Sequence, residues 1–329
     1  MDDIIVTVLI AAYNQEKFIF KTIESVLAQK TSYKYNILVT DDASSDNTRA
    51  IIQDFVNQYP QKVFPLFNNK NIGLNETLKK AIPLLKSKYT CMLGGDDYWI
   101  DEYKIQKQVN ILESNPGISF VHTGVQYFDE DTNSYGDVID YWEWNMPADR
   151  KRRLVSFLSH EFTLYPCASS SCFRTEPFLT CYHEFPQLLD YGVGEGTLLH
   201  TSMCMYGDKY FFLSDVTTVY RCRSNSLSHF CDKWEEINFQ LEYIKLKIIV
   251  FKLFDIPNEY YNTYILKSLN KYFVRSYLID KVKSFEKKIG EMQLDSEIKE
   301  RYTIVFSNPV FTFLYFWCVR IQFKIKELF

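Results

Sequence analysis

Two carboxylates stand side by side at Asp96 and Asp97, after Gly94-Gly95 and before Tyr98-Trp99. Like charges this close repel unless a cation or hydrogen-bond donors neutralise them. Hard oxygen ligands suit Mg2+ or Mn2+, which bind one or two carboxylates plus substrate phosphates. The glycines let a backbone come close to a ligand. A second reading fits the same residues, because Asp ahead of an apolar helix is a common cap. The pair alone leaves both open.

The elements that must position this pair follow from hydrophobic period. Val6–Ala12 reads as a strand, Tyr13-Asn14-Gln15 as a loop, and Ile19, Ile23, Val26 and Leu27 as one face of a helix. The pattern repeats with a strand at Tyr35–Thr40, a polar turn at Asp41–Asn47 and a helix over Thr48–Val56 that Asp46 or Asn47 would cap. A third strand, Val63–Phe67, leads through Asn68–Gly73 to a helix over Glu76–Leu85, and a fourth, Tyr89–Leu93, ends at the Asp pair. Strands alternating with helices at this spacing mean parallel βαβ units. Ligands in such sheets bind outside the carboxyl ends of the strands, where all four polar clusters fall.

Beyond Asp97 the pattern predicts a helix at Tyr103–Leu112, a stop at Asn115-Pro116-Gly117 and a strand at Ser119–Gly124. Tyr135–Pro147 mixes turn residues, acids and aromatics without a period, as either an active-site loop or an ordinary surface loop does. Asp149–Arg153 is mostly basic and reads as a solvated helix start rather than an acceptor-phosphate site. From Trp234 onward long helical segments take over, Phe239–Phe254 and Tyr260–Ile279, so a boundary is expected near His229–Lys233.

Four motifs, in order, carry a resemblance. They are Val8-Leu9-Ile10-Ala11-Ala12-Tyr13-Asn14, then Leu38-Val39-Thr40-Asp41-Asp42-Ala43-Ser44-Ser45-Asp46, then Asn71-Ile72-Gly73-Leu74, and Gly95-Asp96-Asp97-Tyr98-Trp99 with Lys104, Gln106 and Gln108 behind it. Together they resemble the family 2 inverting glycosyltransferases of the GT-A fold, closely over the first third of the chain and loosely to about residue 230. The resemblance implies a Rossmann-like α/β domain, residues 1–232, with a mixed, mostly parallel sheet flanked by helices. Its 1–115 part would bind the nucleotide-sugar and 116–232 the acceptor, with a helical region at 233–329.

It also implies roles. Ala11, Tyr13, Asn14 and Asp42 would meet the nucleotide base, Asp42 accepting from a ring N–H, and Asn71 and Gly73 would complete the donor site. Asp96 would lie near the ribose and Asp97 would bind the Mn2+ or Mg2+ that bridges the diphosphate. Inversion needs a general base for the acceptor hydroxyl. The motif counterpart is Glu195 in Gly194-Glu195-Gly196-Thr197-Leu198, with Asp190 as the alternative and a helix N-terminal acid as the bland reading of Glu195. Departures from the family pattern are Ala43 for the usual Gly, Gly94 where many members carry Asp, and Arg223 at the His position of the Tyr-Arg-x-His segment. Arg223 suits a phosphate as a fixed cation but ligates no metal. His160, His183, His200 and His229 have no grouping spacing and read as structural or surface residues.

The remaining composition bounds these readings. At 329 residues and 47% hydrophobic the chain folds, and a net charge of −4 argues against a nucleic-acid partner. Met1-Asp2-Asp3 gives no basic start of a secretory signal, and the eight cysteines form no CxxC pair. The expected setting is the cytoplasm, in capsule or lipopolysaccharide assembly, with a glycan or lipid-linked acceptor. Val310–Val319 is uncharged and aromatic but about half of the roughly 20 residues a bilayer needs. Residues 310–329 read either as a helix lying on the inner membrane surface or as a last helix packed on the body. Two rivals to the transferase are a nucleotide-sugar-binding module without a base and a sugar nucleotidyltransferase. The second normally has a Gly-rich basic loop where Ala11–Gln15 stands.

Overall fold

β1 (Val6–Ala12) is apolar at most positions and buried along nearly its whole length, as a strand covered on both faces by crossover helices must be. The computed structural model describes residues 4–160, 166–190, 195–223 and 232–326, with the side chains at 195, 261, 262 and 323–326 outside the description. The chain divides into two compact units, Met1–Arg223 and Ser224–Phe329.

In the first unit β1 is followed by α1 (Ile19–Leu27), β2 (Tyr35–Asp41), α2 (Thr48–Gln58), β3 (Val63–Phe67), α3 (Leu74–Ala81), β4 (Tyr89–Gly94), β5 (Tyr98–Trp99) and α4 (Lys104–Ser114). Then come β6 (Ile118–Asp129), β7 (Ser134–Ile139), α5 (Arg150–Leu158), β8 (Cys172–Arg174), α6 (Thr175–Glu184), α7 (Glu195–Met205) and β9 (Lys209–Cys222). The sheet runs β3-β2-β1-β4-β8-β6-β9-β5, with β7 paired to β6. The block β3-β2-β1-β4 is wholly parallel, in the register Val8↔Ile37 and Val8↔Cys91. β6 and β9 are also parallel, while β8, β5 and β7 pair antiparallel. The expected mixed α/β sheet is therefore present. Its core joins Val6, Val8 and Ile10 of β1 to Ile19, Ile23 and Val26 of α1, Ile37 and Val39 of β2, and Ile105, Val109 and Leu112 of α4.

Several boundaries differ from the sequence pattern. The helix expected over Glu76–Leu85 ends at Ala81 and tightens into a 3-10 turn, Ile82–Leu84, because Pro83 lacks the N–H and its ring crowds the preceding turn. The start of the expected Tyr135–Pro147 loop instead forms, with Ser134, the exposed edge strand β7. Tyr98–Trp99 forms β5 by pairing with Val219 and Thr218, a contact that no local period announces. The strand expected at Ser119–Gly124 extends to Asp129 through shifts of register against β9.

The second unit is helical: α8 (Lys233–Leu253), α9 (Asn258–Leu278), α10 (Val282–Gly290), α11 (Ser296–Ser307) and α12 (Pro309–Lys326). Asp232 caps α8 by accepting from the N–H groups of Trp234 and Glu235, and Asp295 caps α11 at Glu297. Aromatic rings fill the interior, with Phe273 of α9 5.8 Å from Phe285 and 5.5 Å from Tyr315 between ring centres.

Candidate active site

The loops after β1 and β2 are laced together. Asn14 N–H donates to Ser44 Oγ (2.9 Å) and Asn14 Oδ1 accepts from Ser45 N–H (2.9 Å). Gln15 N–H donates to Thr48 Oγ1, and Glu16 N–H to Asp46 Oδ2. Asp46, not Asn47, supplies the helix cap, accepting from Thr48 N–H at 2.9 Å. Both Asn14 (φ 52°) and Ala43 (φ 56°) sit in the left-handed region, which Asn tolerates and Ala does not favour.

Asp42 follows β2 and is 4% exposed. Its Oδ1 accepts from Asn68 Nδ2 and Ile72 N–H, both at 2.9 Å, and its Oδ2 from Gly73 N–H at 2.7 Å. The carboxylate thus closes the Asn68–Gly73 loop, where Gly73 turns at φ 84°. Three of roughly four acceptor positions are used and one remains. Tyr13, 45% exposed, and Asn14, also exposed, are the open members among the residues named for the nucleotide base.

Asp96 and Asp97 occupy different surroundings. Asp97 is 3% exposed; its Oδ2 accepts from Ser169 Oγ at 2.5 Å and its Oδ1 from Arg221 N–H at 2.9 Å. Burial, and then the charge of Asp96, push its pKa up to about 8, against the pull of those two donors. Asp96 is the more accessible, and Arg223 Nη2 and Nε reach its Oδ2 at 2.8 and 3.1 Å. Gly94 leaves open the space in front of both. A Cβ there would lie 3.1 Å from Asp96 Oδ1 and 3.2 Å from Asp97 Oδ2. Gly95 is needed for a different reason, since its Cβ would meet Ala11 O at 2.9 Å. Two carboxylate oxygens facing one cleared space fit a divalent cation that takes its other ligands from phosphates. Among the described residues no group of three His, Cys, Asp or Glu side chains encloses such an ion.

A family model described as glycosyl transferase family 2 matches residues 7–173, just over half of the chain. The chain belongs to glycosyltransferase family 2. Among its relatives is the UDP-Glc:alpha-D-GlcNAc-diphosphoundecaprenol beta-1,3-glucosyltransferase WfaP of Escherichia coli, 33% identical over 42% of this family 2 chain and 56% of that protein. Another is an uncharacterized protein of Mycobacterium tuberculosis, 33% identical over 36% of this chain and 35% of its own length. The matches thus span from about a third to just over half of the relatives' lengths. In structure the chain is similar to S. aureus TarS in complex with UDP-GlcNAc, with a TM-score of 0.54 and 15% identity over 90% of this chain and 77% of that one. That likeness shows the fold, which is GT-A.

Behind the Asp pair stands a layer of residues that hold it in place. Lys104 and Gln108, both fully buried, donate to Ser170 O at 2.7 and 2.9 Å. They fix the 3-10 turn Ala168–Ser170 whose Ser169 holds Asp97. Burial lowers the Lys104 pKa to about 8. Thr22 of α1 donates to the carbonyls of Gly95 and Asp97. The Arg221 guanidinium pairs with Glu130 at 2.6 Å and lies 5.0 Å from the rings of both Phe18 and Tyr98. Neither Ser169 nor Thr22 is visible as a site residue in sequence, since the serine run 169–171 carries no spacing signal.

The acceptor side is less assembled. Glu195 opens α7, and its side chain lies outside the described residues. Asp190 pairs with Lys79 Nζ at 2.5 Å, a cation shared with Glu76. The basic run is not simply solvated. Arg153 is buried and donates to the carbonyls of Pro147, Ala148, Gly207 and Asp208, so it ties Pro147 and Ala148 to the turn that leads from α7 into β9. The segment leading into these residues is anchored by Trp142, whose ring meets His122 edge-on at 4.6 Å, and by Trp144, whose Nε1 donates to Ser156 Oγ. His200 is buried among these rings, 4.4 Å from Phe157, and burial lowers its pKa to about 3. His229 lies outside the described residues.

Proposed function

We propose that the chain transfers a sugar, with inversion and with the help of a divalent cation, from a nucleotide-sugar donor to a hydroxyl of a glycan or lipid-linked acceptor. The observation that carries this reading is the cleared space before Gly94, faced by Asp96 Oδ1 and Asp97 Oδ2 and bordered by the Arg223–Asp96 pair. A uridine nucleotide is the first choice of donor. WfaP, a relative with a stated activity, is named for UDP-Glc and a diphosphoundecaprenol acceptor, and the TarS structure was solved with UDP-GlcNAc.

In this reading the nucleoside lies over Tyr13 and the β1 and β2 loops, and the remaining acceptor position of Asp42 takes a ring N–H. Asp96, the more open carboxylate, becomes the principal ligand of Mn2+ or Mg2+, with Asp97 behind it. This revises the roles expected from the motif order. The cation, when bound, offsets charge on the leaving diphosphate. Arg223 exchanges part of its pairing with Asp96 for the phosphates. The acceptor oxygen bonds to the anomeric carbon, the bond from that carbon to the phosphate oxygen breaks, and nucleoside diphosphate leaves with the electron pair. The acceptor proton passes to Glu195, or to Asp190 if it is freed from Lys79.

A panel of nucleotide-sugars, scored for binding and for nucleoside diphosphate release with Mn2+ and with chelator, tests the proposal. Cation-dependent binding of one donor, lost in Asp96→Ala and weakened in Asp97→Asn, is the expected result. Release of pyrophosphate, or full turnover under chelator, overturns the mechanism.

A further inference from the structure

Helix α12 has two apolar faces, of which one is covered. On the inner face Phe316 and Val319 are buried, and the Phe316 ring stacks on Tyr277 at 4.1 Å. Tyr315 donates to Asn270 Oδ1 at 2.7 Å, and Thr312 Oγ1 to Val305 O at 2.8 Å. Positions 312, 315, 316 and 319 thus seat the helix on α9 and α11.

The opposite stripe is Val310, Phe313, Leu314, Trp317 and Ile321, between 44% and 59% exposed. Their spacing of three and four residues places them on one face over three turns. Single exposed hydrophobic residues are ordinary on a protein surface, but a continuous stripe marks a contact. The charge around it is one-sided. From Pro309 to Lys326 there is no Asp or Glu, while Arg320, Lys324 and Lys326 are basic, in a chain with 41 acidic and 37 basic residues. The Arg320 guanidinium lies 5.4 Å from the Trp317 ring and 5.7 Å from Phe316, so a cation borders the apolar stripe. Among the described residues no helix is long and apolar enough to cross a membrane.

We propose that α12 lies in the interface of an anionic lipid bilayer, its 310-313-314-317-321 stripe sunk to the acyl boundary and its basic positions drawn to acidic headgroups. Apolar face, flanking cations and a large aromatic at the border are the parts such a helix needs. Pairing of α12 with a second copy of itself supplies no acid to these cations and sets like charges together, which disfavours that occupant.

The test is flotation of the full chain with vesicles of phosphatidylcholine alone and of phosphatidylcholine with about one third phosphatidylglycerol, alongside sedimentation without lipid. Binding to the anionic vesicles, weakened by salt and reduced on the order of tenfold or more in Leu314→Ser/Trp317→Ser, is the expected result. The variant should keep its circular dichroism spectrum and melting temperature, since both side chains lie on the exposed stripe of α12. Three results overturn the proposal: no binding to anionic vesicles, binding indifferent to lipid charge or to the variant, or a self-association of the chain that the same substitutions abolish. None of these depends on the donor chemistry, which the nucleotide panel reads separately.

Discussion

Asp96 and Asp97 differ by one position and by nearly everything else. Asp96 meets a guanidinium at the site's opening, whereas Asp97 is enclosed and held by Ser169 and the Arg221 amide. Burial disfavours the ionised form of Asp97, the form that ligates a cation, and Ser169 favours that form by donating to it. Ser169→Ala should therefore weaken Mn2+ binding in the presence of UDP by about tenfold, matching a lost charge-assisted hydrogen bond of about 1.5 kcal/mol. Calorimetry at neutral pH reads this directly. Unchanged affinity would mean that Asp97 stays neutral and that Asp96 holds the ion without it.

At the scale of elements, the strand ends and their turns set where these side chains go. Ala43 occupies a turn at φ 56° where the family pattern has glycine. The left-handed conformation costs an alanine roughly 1–2 kcal/mol, and glycine returns part of that gain as unfolded-state entropy. Ala43→Gly should raise stability by roughly 0.5–1 kcal/mol, seen as a higher urea midpoint at unchanged slope. A lower midpoint would show that neighbouring contacts already relieve the strain. The parallel block was legible because β1, β2 and β4 are apolar runs broken by polar turns at regular intervals. β5 and β7 were not, since two residues or an exposed edge acquire strand geometry only from a distant partner, β9 for Tyr98–Trp99 and β6 for Ser134–Ile139.

For the whole molecule, the raised pKa of Asp97 couples the site to stability. The unfolded chain releases this proton near 3.8, while the folded chain keeps it to about 8. The stabilisation is complete below pH 3.8 and is lost as pH rises toward about 8. His200, lowered to about 3, and His122, lowered well below 6.5 by burial, act in the opposite sense, losing stability as pH falls. Both are common to wild type and Asp97→Asn, so the difference between the two isolates Asp97. Melting temperatures from about pH 4 to 8 should show wild type falling relative to Asp97→Asn, whose amide keeps both hydrogen-bond partners, and Mn2+ with UDP should narrow the gap. Parallel curves would place Asp97 ionised throughout.

The sequence by itself determined the order of strand, polar turn and helix, the family, and the loops that face one edge of the sheet, because period and turn chemistry are local properties. Only the tertiary structure decided which of two adjacent aspartates is open. That choice is made by Ser169 and Arg221, more than seventy residues away in the chain, which close on β4 from a 3-10 turn and from β9. It also decided that α12 turns one apolar stripe inward and leaves the other uncovered. A hydrophobic period gives the position of each face of a helix, whereas burial depends on what the rest of the chain brings against it.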